Sequence, residues 1–232
     1  MIRSIFTLVC VAFSLCCNGQ DFISKYRKLE KENLAAFFEE WKNYSDSIAQ
    51  YVEITDSVIA KVLETEFMSH NAEPDEDDGI TPRYCVVFDS IRIERYDMKV
   101  GTTYKRLYKL EFNEKKCIGS VMIVPPLPKN GLYLTIDIDK LLSNFVGGLD
   151  GKASSIKQDN VQMLSQYVPV KYGHWGGYWW FETFPKINAI RITRNAIIVY
   201  RRTSWWTGDE ILYVKEGDTF VRRDEPISTW VE

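Results

Sequence analysis

The hydrophobic pattern of this chain changes period once, near residue 83, and that change limits the folds open to it. Before that point apolar residues recur at helical spacing. Leu29, Leu34, Phe37, Phe38, Trp41 and Ile48 fall along one face of a helix expected over about residues 22–50. A second helix is expected over about 56–69, with Val58, Ile59, Val62, Leu63 and Phe67 as its apolar stripe and Thr55 or Asp56 as its cap. The polar, acidic stretch 71–82 reads as a loop.

Beyond it the period becomes two. Residues 83–88 and 91–96 are rich in strand formers, and in 104–112 Tyr104, Arg106, Tyr108, Leu110 and Phe112 share one face. A turn at 113–116 leads into 117–124, and the proline-rich 125–131 breaks that run. Short helices are expected at about 139–147, ended by Gly147-Gly148, and at 160–167, with 150–158 between them as loop. From about 168 to 223 the pattern is one of successive β-hairpins. The sum is an α+β fold: N-terminal helices packed on a curved, mostly antiparallel β-sheet built from C-terminal hairpins, in a single domain over residues 20–232.

The hairpins carry registers that can be written down in advance. With Gly176-Gly177 as a two-residue loop, Lys171 opposes Glu182, Tyr172 opposes Phe181, Gly173 opposes Trp180 and Trp175 opposes Tyr178. One face then carries Val170, Tyr172, His174, Trp179, Phe181 and Thr183, and reads as core. The other carries Lys171, Trp175, Tyr178, Trp180 and Glu182, which mixes charges with three large rings. Arg194-Asn195 joins a second hairpin, pairing Ile192 with Ile197 and Ile190 with Val199. Gly217-Asp218 joins a third, pairing Val214 with Val221.

The first residues read as an address. Met1-Ile2-Arg3 and the apolar run Ile5–Leu15 have the form of a signal peptide, and an apolar stretch of about a dozen residues falls short of the roughly 20 that span a bilayer. Small residues at Cys17 and Gly19 point to cleavage before Gln20, which makes 1–19 the signal peptide. The alternative is a lipoprotein leader, with Cys17 as the acylated first residue. Either route puts the mature chain outside the cytoplasm: periplasmic, outer-membrane-anchored or secreted. Membrane contact is expected through that lipid anchor alone. Export also permits a Cys85–Cys117 disulfide, against the alternative of two buried thiols.

Composition narrows the function. A hydrophobic fraction of 45% with a net charge of −3 excludes a disordered chain. With 32 acidic residues against 29 basic ones there is no overall positive field for phosphates, so no nucleic acid is expected as a partner. No G-x-S-x-G, H-E-x-x-H, phosphate loop or G-x-G-x-x-G occurs, and no cofactor is implied. Two histidines, His70 and His174, argue against a His-rich zinc site. The run Asp75–Asp78 lacks the spacing of a calcium loop and reads as solvated. Arg201-Arg202 and Arg222-Arg223 lie on strands, where each pair splits between faces.

What is left is aromatic, since six of the seven tryptophans fall within 175–230. A binding surface is expected at Lys171, Trp175, Tyr178, Trp180 and Glu182, unless the domain's own N-terminal helices cover it. The first functional expectation is a non-enzymatic bacterial cell-envelope protein that binds another protein, as an inhibitor or a toxin-immunity protein acting on a toxin or effector. The second is a glycan-binding module in which the rings stack on sugars while Lys171, Glu182 or Asp209 bonds hydroxyls. The third is a hydrolase centred on His174, paired with Glu182 or Asp209.

Overall fold

A computed structural model describes residues 23–26, 28–68, 81–101, 116–147, 154–173, 178–181, 186–202 and 207–224, with 228–231 as backbone. A 3-10 turn at Lys31–Asn33 leads into helix α1, Leu34–Ala49, and helix α2 is Ser57–Met68. Strands β1 (Cys85–Phe88), β2 (Ile91–Tyr96), β3 (Cys117–Ile123) and β4 (Gly131–Leu134) follow, then helices α3 (Ile136–Val146) and α4 (Ser155–Ser165). The remaining strands are β5 (Val170–Tyr172), β6 (Trp179–Phe181), β7 (Lys186–Ile192), β8 (Ala196–Arg202), β9 (Thr207–Glu216), β10 (Thr219–Arg222) and β11 (Ser228–Val231). The fold is α+β. Among the described residues no helix is long and apolar enough to cross a membrane.

Seven strands form the main sheet, in the order β10-β9-β8-β7-β2-β3, with β11 also paired to β9. It is mostly antiparallel. The exception is β2, which runs parallel to β7 and so joins the N-terminal strands to the C-terminal hairpins. Two registers fall where the turn residues place them: Ile192 opposes Ile197 and Ile190 opposes Val199, and Val214 opposes Val221. Gly217 holds φ at 61°, the left-handed conformation that this tight turn requires.

The helices cap as their sequences dictate. Asp56 is the cap of α2: its Oδ1 accepts from the amides of Val58 at 3.0 Å and Ile59 at 3.1 Å. Thr135 caps α3 through the amide of Ile138 at 3.2 Å, so that helix starts three residues earlier than its apolar pattern suggests. Ser154 caps α4 through Lys157, which turns part of the expected 150–158 loop into helix. Strand β4 is a second departure. It pairs in parallel with β1, a contact between distant stretches that no local pattern announces. The strand expected at 104–112 lies outside the described residues.

Three apolar clusters divide the interior, the smallest of them Val100, Ala196, Ile198, Leu212 and Val214. In the first, Leu34, Phe37, Phe38 and Trp41 of α1 pack with β1, β4, α3, α4 and the β5–β6 hairpin. Phe38 stacks on Tyr167 at 4.4 Å. Trp41 donates its indole N–H to the Tyr133 carbonyl at 2.8 Å, and Ser45 Oγ accepts from the Tyr133 amide at 2.9 Å. Side chains of α1 therefore satisfy the backbone of β4, a strand whose one strand partner among the described residues is β1. In the second cluster, Ile59, Val62, Leu63 and Phe67 of α2 cover Ile93, Ile190, Ile197, Val199 and Ile211 of the main sheet.

Glu66 sits in that second interface, fully buried. It accepts from Tyr213 Oη at 2.6 Å, Arg222 Nε at 2.9 Å and Arg201 Nη1 at 3.2 Å. Arg201 also grips Asp209 with two bonds, of 2.8 and 2.6 Å.

The Cys85–Cys117 disulfide is not formed, which corrects that expectation. Both are free thiols, Cys85 buried and Cys117 half-buried. They belong to strands of different sheets, and their sulfurs face different carbonyls, those of Asn130 and Gly119.

Two predictions follow from this packing. Glu66→Ala leaves buried cations short of a partner, and it is expected to cost about 3–5 kcal/mol of unfolding free energy in urea titrations. Glu94 supplies a pH test. Burial disfavours its charge, but bonds from Arg191 at 2.8 Å and Tyr96 at 2.9 Å outweigh that and hold its carboxyl below the ordinary range. Its stabilisation is complete above the unfolded value of about 4.3 and disappears as pH falls through the lower folded value. Between about pH 5 and 3, Glu94→Gln should therefore lose less stability than the wild type.

Candidate functional site

Strands β1 and β4 run parallel and end side by side at Phe88 and Leu134. Beyond those ends the chain turns, through Asp89-Ser90 in one case and through Thr135 into α3 in the other. Across from them lie Tyr178, strand β6, Lys186 at the start of β7 and Arg202 at the end of β8. Together they line a cleft of about 580 Å³. Carboxyl ends of parallel strands are a recurrent place for ligand sites, because the loops leaving them open a crevice there.

The cleft has an aromatic side. Trp179 and Phe181 are buried and meet edge to face, with centroids 5.4 Å apart. Trp180 is half-buried and Tyr178 is exposed at 37%. Phe88, Leu134 and Ile136 add apolar surface from the β1/β4 side. Among the described residues the buried indole N–H of Trp179 has no hydrogen-bond partner, a state that costs free energy.

It also has a polar side of mixed sign. Lys186 is nearly fully buried; its Nζ donates to the Phe181 carbonyl at 2.9 Å and lies 5.3 Å from the Phe181 ring and 5.7 Å from Phe88. Asp89 is half-buried. Burial pushes its carboxyl above the ordinary range, opposed by the Ser90 hydroxyl at 3.4 Å and by its own amide. Asp139, on the first turn of α3, is reachable by solvent, yet the surrounding protein raises its carboxyl as well, against the pull of the Lys186 charge. Arg202 and Ser143 complete the polar lining.

Of the residues expected at a binding surface, Tyr178 and Trp180 line this cleft. Lys171 does not. It lies opposite Trp180 in the hairpin, because the register is offset by two residues from the expected one: Val170 pairs with Phe181 and Tyr172 with Trp179. Gly173 donates its amide to the Tyr178 carbonyl at 2.7 Å, which continues the same offset register. An even offset keeps every side chain on its expected face. Val170, Trp179 and Phe181 are accordingly buried. Trp175, Glu182 and His174 lie outside the described residues.

Asp209 is a further correction. Arg201 holds both of its carboxylate oxygens, so it is committed to the buried network rather than to a base or a sugar hydroxyl. The arginine pairs do split: Arg201 enters that network while Arg202 lines the cleft, and Arg222 reaches Glu66 while Arg223 reaches Glu216. Asp89, Ser90, Asp139, Ser143 and Lys186 were missed. They come from separate stretches that only the β1–β4 pairing assembles. Among the described residues no three side chains converge as a metal site.

No protein-family model, curated protein or solved structure matches this chain. The functional reading therefore rests on the geometry.

The position of Trp180 depends on Gly173, where a Cβ would stand 2.9 Å from the ring carbon Cζ3. Gly173→Ala should shift that ring, changing the near-ultraviolet dichroism while the far-ultraviolet spectrum is kept. The expected loss of stability is about 1–3 kcal/mol, the usual cost of overpacking.

Proposed function

We propose that this is a glycan-binding protein of the cell envelope and that the cleft beside β6 is its binding site. The observation that carries this reading is the pairing, within one concavity, of aromatic walls with polar groups of both signs. A sugar ring offers an apolar C–H face that lies against Tyr178 or Trp180. Its hydroxyls donate to carboxylates such as Asp89 and Asp139 and accept from cations such as Lys186 and Arg202. A ligand of one charge would leave half of that lining opposed to it. The volume of about 580 Å³ falls inside the roughly 300–1,000 Å³ of small-ligand sites. Concavity thus favours the glycan over the flat protein interface that stood first on sequence grounds. The envelope setting is supported by the leader-like residues 1–19.

A protein partner is the second reading, and β3 supports it. Ile118, Val121 and Met122 are strongly exposed on this strand, which ends the order of the main sheet among the described residues. An inhibitor or toxin-immunity role would use that surface.

Calorimetry against a panel of soluble oligosaccharides separates the two. A glycan should bind, and Trp180→Ala should weaken it by about tenfold or more with the fold intact. A panel without a ligand, together with a captured protein that Met122→Lys releases, would move the function to β3.

A further inference from the structure

The two cleft carboxyls stand in unlike surroundings. Asp89 follows Phe88 at the end of β1, half-buried, with the Ser90 hydroxyl at 3.4 Å. Asp139 is open to solvent on the first turn of α3, where the positive end of the helix dipole favours a negative charge, and it feels the buried cation of Lys186. Both line the same cleft as the rings, beside the indole N–H of Trp179, which has no partner among the described residues.

We infer that the cleft hydrolyses the glycan it holds, with Asp89 as general acid and Asp139 as general base. This rests on the glycan-binding reading and adds a reaction to it. Position divides the roles: Asp89 is half-buried beside the Ser90 hydroxyl, while Asp139 is exposed and feels the Lys186 cation, and both carboxyls are held above the ordinary range. Paired carboxyls whose surroundings differ in this way are how one site keeps an acid and a base at the same pH.

The Asp89 carboxyl gives its proton to the bridging oxygen as the bond from the anomeric carbon to that oxygen breaks, and the leaving sugar departs as an alcohol. The oxygen of a water molecule bonds to the electron-poor anomeric carbon, and the Asp139 carboxylate takes the proton that this water loses. Solvent then returns a proton from Asp139 to Asp89. One water is consumed and two hydroxyl-ended sugars result, with no oxidant or reductant.

The test uses the full chain, the same oligosaccharide panel and chromatography of newly formed reducing ends. The wild type should cleave a glycan that it binds, with a bell-shaped pH profile. Asp89→Asn and Asp139→Asn should each lower the cleavage rate at saturating glycan by about a hundredfold or more, a loss that weaker binding alone would not produce. Thermal melts of both variants check that they fold, and Asp139, being on the surface, guards against a folding defect at Asp89. Binding of a panel glycan without cleavage, or cleavage that persists in both variants, would overturn the inference and leave the binding reading standing. A panel in which nothing binds would overturn both.

Discussion

A single buried carboxylate fixes how the helical half of this protein meets its sheet. Glu66 on α2 lies fully buried and accepts bonds from Arg201 on β8, Tyr213 on β9 and Arg222 on β10. Apolar packing alone would let α2 slide along the sheet, because isoleucine and valine surfaces resemble one another from one turn to the next. A charge buried away from water has no such freedom, since leaving its partners means desolvation without compensation. Arg201 is balanced in turn by Asp209, so the cluster carries two negative and two positive side chains around one phenol. The net energy of such a cluster is modest. Its consequence is one position for α2.

The first cluster solves a different problem. Among the described residues strand β4 has β1 as its one strand partner, and a strand edge facing a protein interior needs donors and acceptors from elsewhere. Trp41 and Ser45 supply them to Tyr133, so α1 is joined to the parallel pair by hydrogen bonds as well as by Phe37 and Phe38. With β1 and β4 held side by side, their ends present Asp89 and Thr135 together, and α3 departs from that point. The β5–β6 hairpin packs on the same cluster and brings Trp179 and Trp180 to face them. The cleft is thus a product of core packing.

The chemistry of the cleft reflects its double origin. Its aromatic side comes from one short hairpin, and its polar side from the ends of four elements. Lys186 sits between them, bonded to the Phe181 carbonyl and near two rings, so its charge is held in place rather than carried on a free stem. Fixed cations, carboxyls in unlike settings and an indole donor would give the proposed ligand several directional contacts at once. Directional contacts are what separate one sugar from another, because ring stacking alone accepts any apolar face.

The local features of the fold were legible in the sequence. Period-3.6 stripes located α2 and the later part of the expected 22–50 helix, which as α1 starts only at Leu34; Asp56 was one of two candidate caps, and Arg194-Asn195 and Gly217-Asp218 set their registers, because each depends on residues a few positions apart. That Tyr178 and Trp180 share a face was legible through strand alternation, which survives an even offset in register. The β1–β4 pairing, the parallel contact of β2 with β7 and the joining of Asp89, Asp139, Lys186 and Arg202 in one cleft were decided by tertiary structure alone. Parallel strands need a crossover and carry no turn that names their partner. Residues far apart in the chain meet only where buried area and satisfied backbone groups make one arrangement lower in free energy than the others.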